Sequence, residues 1–178
     1  MQLTSIASSV SPWTPCSSEW TKDVPDIRVS QTFDRSKGLH QFELLQKTYK
    51  QSEEINFLLA LLYLEDNKYI KAEKLLNPLT ASYSYSSEAH YYLGYIHDKN
   101  ENFSEAIHNY KKVLGGSKFL AATSRVFNLL IQTSSLANAS NHINVMRSKV
   151  PERSKDLFEL ESNMLINIKN LICRSLIE

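Results

Sequence analysis

The sequence predicts an all-α solenoid of three helical hairpins, preceded by an irregular N-terminal segment and closed by a C-terminal capping helix. Three observations predict it. From Leu39 onward apolar residues recur at three- and four-residue steps, and the two-residue alternation of strands is absent. A hairpin-sized pattern returns at a spacing of 34 and then 33 residues. Only 4 of the 178 residues are glycine, well below the usual ~7%. The glycine loops that cradle nucleotide phosphates, G-x-G-x-x-G and G-x-x-x-x-G-K-[ST], do not occur.

Residues 1–37 differ from all that follows. Three of the five prolines (Pro12, Pro15, Pro25) and a dense run of serine and threonine fall here. Proline removes a backbone donor, and short hydroxyl side chains compete for backbone hydrogen bonds, so this segment reads as irregular or disordered. Trp13 and Trp20 are its apolar exceptions, read either as partner anchors or as residues packed on the parent domain. Met1 to Ser11 carries no basic residue and no long apolar run, so no signal peptide is expected. No apolar stretch approaches the ~18 residues of a membrane span, and a soluble protein is expected, cytoplasmic by default.

A leading helix is expected over residues 38–52, with Leu39, Phe42, Leu45 and Tyr49 forming one stripe. Residues 55–64 are apolar nearly all round and read as a helix buried between neighbours. The polar break at residues 65–68 precedes a second stripe at Tyr69, Ala72, Leu75, Leu76 and Leu79, completing a hairpin over residues 53–85. Its key positions, Leu59, Ala60, Tyr63, Tyr69, Ala72, Leu76 and Leu79, recur as Leu93, Gly94, His97, Phe103, Ala106, Tyr110 and Val113 in residues 86–118. They return as Val126, Phe127, Leu130, Leu136, Ala139, Ile143 and Met146 in a degenerate third copy, residues 119–151. Small residues at Ala60, Gly94, Ala72, Ala106 and Ala139 are expected where the two helices of a hairpin cross most closely. Phe127 breaks this rule, which predicts a wider or shifted third hairpin. Gly38 is read as the entry to the array, and Gly115-Gly116 as the end of the second hairpin's second helix.

Residues 152–178 carry a stripe of Leu157, Leu160, Met164, Leu165, Ile168, Leu171, Ile172 and Leu176. Two readings fit it: a cap over the open end of the array, or a dimer or partner face, since Ile166, Cys173 and Ile177 add apolar surface outside the stripe.

The repeat resembles the tetratricopeptide family. The middle copy carries the likeness most clearly, with Tyr92-Leu93-Gly94 opening it, Asn102-Phe103-Ser104-Glu105-Ala106-Ile107 starting its second helix, and Tyr110 and Val113 closing it. A finer resemblance runs to bacterial envelope-associated tetratricopeptide proteins with longer arrays. It rests on Glu88 to Gly94, Phe119-Leu120-Ala121-Ala122, Arg125-Val126 and Val150-Pro151-Glu152, and it implies a piece of such an array. The length and three repeats before a helical tail also resemble type III secretion class chaperones, which implies a dimer holding a secreted translocator.

The family resemblance implies a non-enzymatic scaffold that binds a peptide or helical segment, with the first helix of each hairpin lining a concave groove. Groove positions would then be Phe57, Leu61 and Leu64 in the first copy, and Tyr91, Tyr95, Asp98 and Lys99 in the second. The third copy would supply Ser124, Arg125, Asn128 and Gln132. Asp98, Arg125 and Asn128 would set the register of the partner. Tyrosine suits such a groove, giving large contact area at small entropy cost. Phe57 and Leu61 depart from the basic and asparagine pattern of the carboxylate-clamp subgroup.

Other chemistry finds less support in the residues. With 20 basic against 19 acidic side chains and a net charge of +1, the basic footprint of a nucleic-acid binder is missing. Cys16 and Cys173 stand 157 residues apart with no C-x-x-C partner, so no zinc or thioredoxin-type site is expected. His90 and His97 share a helix face, with His108 on the next helix, which opens a metal-site alternative; interior, hydrogen-bonded histidines are the plainer reading. No serine sits in a G-x-S-x-G elbow, and no cofactor or metal is expected.

Overall fold

The computed structural model describes residues 35–175. The expectations for residues 1–34, Trp13, Trp20 and Cys16 among them, lie outside the described residues, as do Leu176 and Ile177 and the side chains of Leu171 and Ile172. Every regular element among the described residues is helical: α1 Arg35–Thr48, α2 Glu53–Glu65, α3 Tyr69–Leu79, α4 Ser86–Lys99, α5 Phe103–Tyr110, α6 Phe119–Thr133, α7 Leu136–Lys149 and α8 Ser154–Ser175. A 3-10 turn, Pro151–Arg153, links α7 to α8. Each helix packs on the next in the chain, and α8 also returns onto α6. None of the described helices is long and apolar enough to cross a membrane. The fold is an all-α repeat solenoid in which α2/α3, α4/α5 and α6/α7 are the three hairpins.

The first two hairpins are joined by the same turn, repeated at the 34-residue spacing. Asn67 and Glu101 adopt left-handed φ values of 56° and 59°. The next residue closes a six-residue loop, Lys68 N–H donating to the Tyr63 carbonyl and Asn102 N–H to the His97 carbonyl, both at 2.8 Å. A second bond nests inside each, Asn67 to Leu64 at 3.0 Å and Glu101 to Asp98 at 3.1 Å. This is a Schellman closure, which satisfies carbonyls left over at a helix C-terminus. The third hairpin turns differently. Ser135 is extended, and its hydroxyl accepts the Asn138 N–H at 3.2 Å, capping α7.

The five small packing residues are all buried: Ala60, Ala72, Ala106 and Ala139 expose no surface, and Gly94 lies in the core. At Gly94 the reason is direct, because a Cβ there would stand 2.7 Å from Cδ1 of Tyr110. Phe127 is fully buried too, in one core with Phe119, Ile143, Met146, Val150 and Leu157. The third hairpin thus spends its large residue on a core shared with α8.

Several boundaries differ from the sequence expectation. The leading helix is α1, which begins at Arg35 and encloses Gly38, so that glycine is a buried helical position rather than a border. The second helix of the middle hairpin ends at Tyr110, five residues before Gly115. Val113, expected inside it, is fully buried beyond its end. Gly116 takes φ +75°, a left-handed conformation that glycine adopts without steric cost. In α8, Leu157, Leu160, Met164 and Ile168 meet the core, whereas Leu165, read as part of that stripe, is 38% exposed.

Candidate partner-binding clefts

α4 positions the candidate site. Its Ala89, Leu93, Gly94 and Ile96 are buried, which fixes the rotation of the helix and leaves Tyr91, Tyr92 and Tyr95 half-buried at its edge. Tyr91 and Tyr95 stand between two clefts and line both. The larger, about 580 Å³, is walled by α4, α5 and α6, with Asp98, Lys99, Tyr110, Ser124, Arg125 and Gln132 among its lining. The smaller, about 300 Å³, is walled on the other side by Leu61 and Leu64 of α2, with Tyr92 and Lys118.

The rings are braced by one another. Tyr91 meets Tyr92 edge-on at 5.2 Å and Tyr110 at 5.7 Å between centroids. Lys99 lies 5.4 Å from the Tyr95 centroid, and Lys118 lies 5.4 Å from Tyr91 and 5.6 Å from Tyr92. An ammonium at such distances is attracted by the ring face.

Asp98 and Arg125 form a two-pronged ion pair across the larger cleft, from α4 to α6. Nε of Arg125 donates to Oδ2 of Asp98, and Nη2 donates to Oδ1 at 2.8 Å. The Asp98 side chain is only 8% exposed, while that of Arg125 is 46% exposed. Hydrogen bonding to Asp98 holds the guanidinium above its ordinary pKa. Burial, and then the charge of Asp98, push the Tyr110 phenol well above the usual tyrosine range. The Tyr110 hydroxyl lies 3.5 Å from Oδ2 of Asp98. The pair therefore joins the second hairpin to the third, and the Asp98 carboxylate is already occupied.

Nine of the eleven groove residues named from the sequence line one cleft or the other: Leu61, Leu64, Tyr91, Tyr95, Asp98, Lys99, Ser124, Arg125 and Gln132. Phe57 lies off both; its ring packs against Tyr85 at 4.9 Å and Tyr92 at 5.9 Å, because an apolar ring one turn earlier on α2 is drawn into the contact between hairpins. Asn128 is exposed and lines neither cleft. Sequence reasoning missed Lys118, which lies outside the helices and reaches the rings from the turn before α6. No helical spacing marks such a residue.

The histidines do not converge. Nδ1 of His90 donates to Oδ1 of Asn109 at 3.3 Å, and burial lowers the His90 pKa. His97 is half-buried and His108 exposed. Among the described residues no group of three or more His, Cys, Asp or Glu side chains is placed to hold a metal ion.

No family model matches this chain, and no curated protein sequence matches it. Solved structures do. The chain is similar to a crystal structure of MamA protein at 16% identity and a TM-score of 0.56, covering 68% of this chain and 67% of that one. A second MamA crystal structure matches at 12% identity and 0.55, over 78% of this chain and 91% of that one. The RS-1 MamA double mutant matches at 18% identity and 0.55, over 69% and 68%. MamA is a tetratricopeptide-repeat protein, and the likeness extends to the fold: this chain has a tetratricopeptide-like helical repeat architecture.

Proposed function

We propose that this protein is a non-enzymatic interaction scaffold that binds a peptide or helical segment along the face formed by α2, α4 and α6. The observation that carries the reading is the ridge of Tyr91 and Tyr95, flanked by clefts that open onto all three first helices. A side chain entering either cleft buries its surface against these rings, and binding energy concentrates in such aromatic anchors. Asp98 and Arg125 act chiefly by holding the second and third hairpins in register, so the wall of the larger cleft is preformed. Lys99 and Lys118 supply the polar contacts at the rim.

The test is selection of peptides from a random display library on the intact protein, followed by titration of a selected peptide. Tyr91→Ala with Tyr95→Ala is expected to weaken binding at least thirtyfold, since two anchors at ~1–2 kcal/mol each act together. Unchanged affinity in the double variant overturns the groove reading. The finer kinship to envelope-associated arrays expects the native partner in the cell envelope, which fractionation of the captured complex reads directly.

A second reading, the type III secretion class chaperone, requires a homodimer. One observation favours it: Phe158 and Ile166 on α8 are 66% and 55% exposed, on a face turned away from the core. Light scattering on the purified chain decides, a dimer supporting the chaperone and a monomer overturning it.

A further inference from the structure

A third cleft, about 450 Å³, lies apart from the tyrosine ridge and is formed chiefly by one stripe of α7. Asn138, Asn141, His142, Val145, Met146 and Lys149 follow the three- and four-residue steps that place side chains on a single helix face. Lys111, from the turn after α5, and Leu130 of α6 complete the wall. The volume falls in the range of small-molecule sites, ~300–1,000 Å³. Its composition is one-sided. Among the described residues, Lys111 and Lys149 are its only charged side chains, and no carboxylate lines it.

His142 sits in this wall at 6% exposure. Its Nε2 is buried without a hydrogen-bond partner. The middle hairpin shows what is unusual here. There the equivalent position is Asn109, which is paired with His90 across the hairpin. In the third hairpin the residue equivalent to His90 is Thr123, and its hydroxyl turns back to the Phe119 carbonyl at 2.9 Å. His142 is thus a buried polar group whose counterpart has been withdrawn. Buried polar groups are ordinarily paired, and an exception calls for a reason.

We propose that this cleft binds a phosphate monoester, its dianionic head between Lys111 and Lys149 and its apolar body against Leu130 and Val145. Two ammonium groups match a double charge better than the single charge of a carboxylate. The amide of Asn141 supplies a further donor for phosphate oxygens, whereas the Asn138 amide already donates to the Ser134 hydroxyl. Burial, then the nearby charges of Lys111 and Lys149, hold His142 down at about 4, so the ring is neutral at pH 7. A dianion bound beside it offsets the lysine charges and draws that value upward.

The experiment is calorimetric titration of the intact protein with phenyl phosphate at constant ionic strength, with imidazole-detected NMR of His142. Saturable binding is expected, with the His142 pKa rising by more than one unit in the complex. Lys111→Ala with Lys149→Ala is expected to weaken binding at least tenfold. Both lysines are exposed, so circular dichroism should show the double variant folded. Absence of saturable binding, or equal binding by the double variant, overturns the site. Benzoate binding as tightly as phenyl phosphate overturns the assignment to phosphate.

Discussion

The ring of Tyr110 occupies the space that a side chain at Gly94 would need. The ring of Tyr110 lies against the backbone of α4 at Gly94, is 2% exposed, and is held at its far end by Asp98. A methyl group at position 94 would meet Cδ1 and Cε1 at 2.7 and 2.8 Å, and a ring fixed at both ends has nowhere to go. Alanine in a helix gains up to ~1 kcal/mol over glycine in propensity, but overpacking a filled core costs ~1–3 kcal/mol. Gly94→Ala is therefore expected to lower stability by about 1–2 kcal/mol in urea unfolding. A stabilised variant would mean that Tyr110 is free to move. The importance of Gly94 was legible in the sequence, since a small residue stood at the crossing in two copies. Its partner was legible only as a repeat position, because which side chain fills a gap depends on the packing of two helices. Phe57 shows the limit from the other side. It shares the spacing of groove residues, yet two neighbouring rings draw it between hairpins.

At the scale of the element, the two Schellman turns carry a testable difference. Both place a residue with a side chain at left-handed φ, Asn67 in one and Glu101 in the other. Asparagine is among the residues enriched in that region, whereas an ordinary side chain there costs ~1–2 kcal/mol. Glycine removes the cost but enlarges the unfolded ensemble, giving back ~0.4–1 kcal/mol. Glu101→Gly is therefore expected to stabilise the protein by about 0.5–1 kcal/mol. That corresponds to a rise in Tm of roughly 1–4 °C for a chain of this size. Asn67→Gly should change Tm by less than half as much, and equal shifts at the two sites would refute the account. Helix existence was readable in every hairpin, because the apolar stripes recur at helical steps. Helix ends were not. α5 stops at Tyr110 although the apolar pattern continues to Val113, which stays buried without being helical. Hydrophobic spacing reports which residues are inside, and a turn that keeps Val113 inside satisfies it as well as a helix does.

Among the described helices, contacts run mainly between neighbours in the chain, with α8 on α6 as the added link. In such an array stability is close to a sum of nearest-neighbour terms, and damage at one end stays there. α8 is the place to test this, because its two faces separate the two roles read from its sequence. Leu157 is fully buried in the core that holds Phe127, Ile143 and Met146, whereas Phe158 beside it is 66% exposed. Leu157→Ala is expected to cost ~2–5 kcal/mol, the usual range for emptying a buried leucine site. Hydrogen exchange should then rise in α6, α7 and α8 while amide protection in α2 and α3 stays as in the parent. Phe158→Ser removes mostly exposed apolar surface that touches Arg147, so it should leave monomer stability within about 0.5 kcal/mol. If exchange instead rose uniformly from α2 to α8, the helices would form a single cooperative unit and α8 would be part of its nucleus rather than its cap. If Phe158→Ser were strongly destabilising in a concentration-dependent way, the exposed face of α8 would be a subunit contact. The two substitutions, at adjacent residues, thus read the cap and the interface independently.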